Sequence, residues 1–105
     1  MKASDLFVQC LENEGIEYIF GVPGEENADF MMSLEQSDRI KFILCRHEQG
    51  AALMADGFSR ISGAPSVCLV TNGPGVLNLT YGIAAAYVAH SPVVVLATFA
   101  VPENN

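Results

Sequence analysis

Apolar residues near the N-terminus recur at helical spacing: Ala3, Leu6, Phe7, Cys10 and Leu11 share one face. Ser4 or Asp5 can cap this helix at its start, and Gly15 can stop it. The period then changes. Ile16-Glu17-Tyr18-Ile19-Phe20 reads as a short strand, broken by Gly21-Val22-Pro23-Gly24. A helix follows, with Phe30, Met31 and Leu34 inward, and Ile40-Lys41-Phe42-Ile43-Leu44 is a second strand. Arg46-His47-Glu48-Gln49 enters a helix that runs to about Ile61 and is closed by Gly63-Ala64-Pro65. Within it Gly50, Ala51, Ala52 and Ala55 form a small-residue face suited to close packing, and Asp56 and Arg60 form an i,i+4 pair on the outside. Ser66-Val67-Cys68-Leu69-Val70 is a third strand. Thr71-Asn72-Gly73-Pro74-Gly75 turns into a helix reaching about Ala89, and Pro92 to Ala97 is a fourth strand.

Short strands alternating with longer helices imply right-handed βαβ units. The expected fold is therefore α/β, a parallel sheet with helices on both faces. The strands are continuous apolar runs, as strands buried on both sides require. A chain of 105 residues is enough for one small domain, taken as residues 1–105.

Charge narrows the function. Twelve acidic and five basic residues give a formal net charge of −7. Nucleic-acid binding needs clustered Lys and Arg, and an anionic membrane surface needs the same, so neither partner is expected. Between Arg60 and Glu103 there is no charged residue, which is uncharacteristic of the surface of a lone monomer. Leu79 to Val101 is long enough to span a bilayer. Its Tyr81, Gly82 and His90-Ser91-Pro92, and the change there from Ala-rich to Val-rich sequence, fit two buried elements joined by a turn instead. Cys10, Cys45 and Cys68 are odd in number and lack metal-ligand spacing; among apolar neighbours they read as small core residues in a reducing compartment. Met1-Lys2-Ala3-Ser4-Asp5 lacks the features of a signal peptide, and a cytoplasmic location is expected.

Ligands of an open parallel sheet bind beyond the carboxyl ends of its strands. Three segments reach that edge: Gly21-Val22-Pro23-Gly24-Glu25-Glu26, Arg46-His47-Glu48-Gln49-Gly50 and Thr71-Asn72-Gly73-Pro74-Gly75. Together they offer a carboxylate, a helix N-terminus and exposed backbone amides. Gly73-Pro74-Gly75 departs from a dinucleotide fingerprint. Asn78 replaces the third glycine, and no acid stands about twenty residues on. Glu48 can be a first-turn acid favoured by the helix dipole, as can Glu25 and Glu26. His47 is its neighbour, but successive helical residues do not share a face, so no His-Glu dyad is implied.

Phe20-Gly21-Val22-Pro23-Gly24-Glu25-Glu26-Asn27, Arg46-His47-Glu48-Gln49-Gly50-Ala51-Ala52 and Thr71-Asn72-Gly73-Pro74-Gly75-Val76-Leu77-Asn78-Leu79 resemble, in order and spacing, the pyrimidine-binding domain of thiamine-diphosphate enzymes. The nearest likeness is to the acetolactate synthase large subunit, over the chain to about Ala97. The resemblance implies thiamine diphosphate as cofactor, held here by its pyrimidine part only. It implies that Glu48 is catalytic: its carboxyl group stabilises the pyrimidine tautomer that deprotonates the thiazolium carbon. Thr71, Gly73, Pro74 and Asn78 then lie around the pyrimidine, and Val22, Pro23 and Gly24 border the active site.

The resemblance also implies what must come from elsewhere. The family's diphosphate-binding domain with its divalent metal, and the middle domain that binds FAD in some members, have no counterpart here, and no metal ligand is expected in this chain. After the fourth strand Ala97-Thr98-Phe99 stands where synthases usually show Thr-Gly-Gln. The expected parent reaction is decarboxylation of a 2-oxo acid, pyruvate first, followed by carboligation, with the chain inactive alone. The alternatives are a non-catalytic remnant or assembly module pairing with a fuller subunit, and part of a 2-oxo-acid decarboxylase. The expected partner is a second copy or a chain carrying the diphosphate domain.

Overall fold

The computed structural model describes residues 1–98. Helix α1 (Ala3–Asn13) leads into strand β1 (Tyr18–Gly21), a 3-10 turn (Glu25–Asn27), α2 (Ala28–Glu35) and β2 (Lys41–Leu44). Then come α3 (Glu48–Ser62), β3 (Ser66–Val70), α4 (Pro74–Asn78), α5 (Thr80–Ala89) and β4 (Val93–Ala97). The four strands form one sheet in the order β2-β1-β3-β4, and every pairing is parallel. The expected α/β class is the observed one.

Alternation along the inner strands divides the core. Ile19, Val67 and Leu69 face α1 and α2, where they pack with Val8, Leu11 and Leu34. Phe20, Cys68 and Val70 face the other way and pack with Ala51, Ala52 and Ala55 of α3 and with Leu79. Successive side chains of a strand point to opposite faces, so two inner strands serve two helical layers. Helix α3 is tied to β3 by hydroxyls: Ser59 and Ser66 share a hydrogen bond of 2.8 Å, and Ser66 donates to the carbonyl of Ala55 at 2.8 Å. Both serines are buried, so these bonds satisfy polar atoms that would otherwise penalise the core.

Several details depart from the sequence expectation. Burial on both sides holds for β1 and β3 but not for the outer strands: Lys41, Leu44, Val94 and Ala97 are exposed, because an edge strand of the described sheet has cover on fewer sides. In α1 the buried stripe is Val8 and Leu11. Leu6 and Cys10 are exposed, and Phe7 reaches across to Phe30 edge-on, with ring centroids 5.8 Å apart. Neither Ser4 nor Asp5 is the residue preceding α1. Asp5 instead accepts the backbone N–H of Lys2 from inside the first turn, at 3.1 Å. Gly15 does lie just past the helix in the left-handed region, φ +82°.

Gly50 faces open space, so the close-packing face of α3 is made by its alanines. Asp56 lies inside, at 4% exposure. The Arg60 guanidinium grips it with two contacts of 3.0 and 2.8 Å, and the Ser91 hydroxyl donates to it. Periodicity placed it with the polar residues of α3, but α5 and the turn before β4 fold over that face.

The helix expected to reach about Ala89 is two. It breaks at Leu79, whose ψ is 3°, between α4 and α5. The Thr80 hydroxyl donates to the Leu77 carbonyl at 2.8 Å, and Leu79 drops into the core at 0% exposure. Beyond the break, α5 lies against α3 at Gly82 and Ala52. Among the described residues its uncharged surface is not covered: Tyr81, Tyr87 and Val88 are exposed. Among the described residues no helix is long and apolar enough to cross a membrane. Phe99 lies outside the described residues.

Candidate functional site

The three segments singled out in the sequence converge at the carboxyl edge of the sheet. After β1 the chain stays in register for one more residue, with the N–H of Val22 donating to the Leu69 carbonyl at 3.0 Å. Gly21 itself is pressed on β3. A Cβ there would stand 2.4 Å from the Leu69 carbonyl oxygen, so no larger residue fits. Gly24 is held from behind by Asn27, whose Oδ1 accepts its N–H at 2.9 Å. Its open side meets Thr71, where a Cβ on Gly24 would come 2.5 Å from Thr71 Cγ2. The first loop thus rests directly on the third.

Glu48 is the first residue of α3, behind His47, whose Nδ1 accepts the N–H of Gln49 at 3.1 Å. This is a side-chain cap, so the dipole-favoured first-turn position of Glu48 is real. The carboxylate does something further. Its Oε1 accepts a hydrogen bond from Asn78 Nδ2 at 3.0 Å, across thirty residues of sequence. Its Oε2 faces Gly75: a Cβ on that glycine would lie 3.3 Å from Oε2 and 3.4 Å from Thr71 Oγ1. The missing side chain therefore lets a carboxylate oxygen and a hydroxyl stand close against the Gly75 backbone, where even a methyl group would be tight.

The turn that places Gly75 is conformationally special. Gly73 has φ +63° and ψ −120°, a backbone that an L side chain rarely adopts, and Pro74 follows as the first residue of α4. Because α4 stops at Asn78 and the chain turns inward at Leu79, the Asn78 side chain is left beside Glu48. Behind the carboxylate lies Cys68 in β3. Burial drives its thiol up to about 12, with Cys45 and then Glu48 adding smaller repulsions against a thiolate. That thiol stays protonated and inert at physiological pH.

The residues singled out from sequence divide into two groups. Gly24, Glu48, Thr71 and Asn78 are joined by contacts through the space beside Gly75. Val22 packs on the core below, while Pro23, Gly73 and Pro74 are exposed and shape the loops. Glu25 and Glu26 lie exposed on the 3-10 turn. Two contributors were not picked out in advance. Gly75 was read only as part of a turn, although the Gly-Pro-Gly spacing marks a close approach. Asn27 was not weighed as the anchor of Gly24, although a polar side chain three residues into a helical turn can reach back to the backbone N–H at its start. No group of three or more His, Cys, Asp or Glu among the described residues could hold a metal ion.

The family described as "Thiamine pyrophosphate enzyme, N-terminal TPP binding domain" matches residues 1–100. The "Probable acetolactate synthase large subunit" of Methanocaldococcus jannaschii is 49% identical over 96 residues, which are 91% of this chain and 16% of that protein. "Acetolactate synthase, chloroplastic" of Arabidopsis thaliana is 39% identical over 95 residues, 90% of this chain and 14% of that protein. "Probable 2-ketoarginine decarboxylase AruI" of Pseudomonas aeruginosa is 41% identical over 98 residues, 93% of this chain and 17% of that protein. The chain thus spans 14–17% of the length of these relatives.

Proposed function

The chain belongs to the thiamine pyrophosphate enzyme family through its N-terminal TPP binding domain, and from that premise we propose that it supplies the aminopyrimidine half of a thiamine-diphosphate site. The observation that carries the proposal is the divided carboxylate of Glu48: one oxygen is held by Asn78, and the other stands on the side of Gly75 and Thr71. A carboxyl oxygen that no side chain of residue 75 covers is a suitable acceptor for the nitrogen edge of a flat ring. The group suits these residues in chemistry as well, since a carboxyl can hold or release a proton at such a nitrogen.

When bound, thiamine diphosphate supplies a thiazolium carbon that becomes nucleophilic on losing its proton. Glu48 exchanges a proton with the pyrimidine nitrogen and so governs that loss. Thr71, Pro74 and Asn78 border the ring, Gly73 sets the turn that carries them, and Val22, Pro23 and Gly24 form the adjoining wall. The magnesium ion, the diphosphate contacts and any FAD come from other domains, supplied by a second chain or by a longer form of this one. The three cofactor-wall segments and the surrounding fold act as one domain over residues 1–105.

The parent reaction in this reading is decarboxylation of a 2-oxo acid, pyruvate first, followed by carboligation to an acetohydroxy acid. Two relatives whose names state acetolactate synthase support it. Decarboxylation without carboligation is the second reading, supported by the relative named for 2-ketoarginine decarboxylation. One experiment separates them. The chain is combined with the remaining domains of a long relative and supplied with thiamine diphosphate, magnesium and either pyruvate or a longer 2-oxo acid. Alone, the chain turns over neither substrate; combined, it forms acetolactate from pyruvate. Release of carbon dioxide without acetolactate selects the decarboxylase. Cofactor binding without turnover of any 2-oxo acid would leave an assembly module.

A further inference from the structure

We propose that Asn78 is a positioning residue that acts through Glu48, deciding which carboxyl oxygen carries the working proton. The inference rests on the aminopyrimidine reading of the site. Asn78 Nδ2 is a donor only, and it donates to Glu48 Oε1 at 3.0 Å. An oxygen that already accepts an N–H is a poor place for a proton. A proton taken up by the carboxyl group therefore goes to Oε2, the oxygen on the side of Gly75. Without Asn78 the carboxyl can rotate and protonate on either side. The proton is then on the side of Gly75 only part of the time.

The fold makes this contact on purpose-built geometry. Asn78 is the last residue of α4, a helix of five residues, and Leu79 leaves the helical path to bury itself fully. Had the helix continued, as periodicity alone suggests, its side chains would track α5 along α3. The break at Leu79 leaves the carboxamide at the first turn of α3 instead. The Asn78 donor fixes the Oε1 side of the Glu48 carboxylate, and so orients it.

The test uses the cofactor-loaded assembly of this chain with the diphosphate-binding domains, and four proteins: the parent, Glu48→Gln, Asn78→Ala and the double variant. Three quantities are read: the affinity for thiamine diphosphate, the near-ultraviolet circular dichroism of the bound aminopyrimidine, and the exchange of the thiazolium proton in deuterated water. Asn78→Ala is expected to slow exchange by about tenfold to a hundredfold and to weaken the tautomer signal, with cofactor affinity changed by less than about threefold. In the Glu48→Gln background the same substitution is expected to add nothing, because its route of action is gone. Parent-like exchange in Asn78→Ala, or a full additional loss in the double variant, overturns the positioning role. If Glu48→Gln itself exchanges like the parent, the aminopyrimidine reading falls and this inference falls with it. Exchange slowed by Glu48→Gln alone leaves that reading standing without Asn78.

Discussion

Gly82 of α5 stands so close to Ala52 of α3 that a Cβ on the glycine would lie 2.2 Å from the Cβ of the alanine and 3.2 Å from its backbone. Two helices can meet at that distance only where one of them has no side chain. Gly82→Ala must push α5 outward or distort α3, and overpacking of this kind costs about 1–3 kcal/mol. Gly57, also in α3, has open space where its Cβ would be. Gly57→Ala is expected to stabilise by about 0.5–1 kcal/mol, since it removes backbone freedom from the unfolded chain without a clash. Urea midpoints of the two variants should move in opposite directions.

Asp56 gives the chain an acid-sensitive joint. The hydrogen bond from Arg60 holds its carboxyl below the ordinary range, the Ser91 hydroxyl and the Arg60 charge assist, and burial opposes them. A folded-state value below the unfolded one means that the stabilisation is fully present above the ordinary carboxylate range, about 3.9. It is lost as pH falls through the depressed folded value. Asp56→Asn is therefore expected to lower stability at pH 7 by about 1–3 kcal/mol, the scale of a hydrogen-bonded charged group. As pH falls through that depressed folded value the parent and the variant should converge. Denaturant curves at several pH values would show the gap closing on acidification; a constant gap would contradict this account.

The cysteines should report the fold through their reactivity. Cys10 is exposed, while Cys45 and Cys68 are buried and burial raises both thiols. A thiolate-selective reagent at pH 8 is expected to modify Cys10 promptly in the native chain. Cys45 and Cys68 should react only after denaturant is added. Mass spectrometry of the native reaction should show one adduct, and of the unfolded reaction three.

Helix α5 should govern association. Tyr87 is 81% exposed and Val88 78%, on a helix without a charged residue. A helix apolar on all faces needs cover beyond its own sheet. Light scattering after size exclusion is expected to find a dimer, for which two-fold pairing is the commonest arrangement. The double substitution Tyr87→Glu, Val88→Glu should shift it to monomer. A parent chain that stays monomeric at all concentrations would remove α5 as an interface.

Much of the site was legible because its elements announce themselves locally. Glycines and prolines after strands mark connections, and three such segments in a parallel sheet must emerge at one edge. Glu48 and Thr71 lie in segments found this way, but spacing alone reads Glu48 as a first-turn acid; its role, and the place of Asn78 at the site, came from the family resemblance. The pairing of Glu48 with Asn78 was legible in neither. The hydrogen bond from Asn78 spans thirty residues, and nothing in the neighbourhood of either residue points to the other. Asn27 was missed for the same reason in small: its role as the anchor of Gly24 depends on the 3-10 turn between them.

By itself the sequence determined the order of helices and strands and the parallel sheet with helices on both faces, because helical spacing, continuous apolar runs and Gly/Pro breaks are each written into local segments. The tertiary structure decided where continuity fails and which polar groups go inside. The break at Leu79 exists because a leucine gains more by burial in the core than the helix loses at one residue. Asp56 is internal because Ser91, thirty-five residues away, folds over it and supplies a donor. Both outcomes are set by which surfaces meet, and that information belongs to no single stretch of chain.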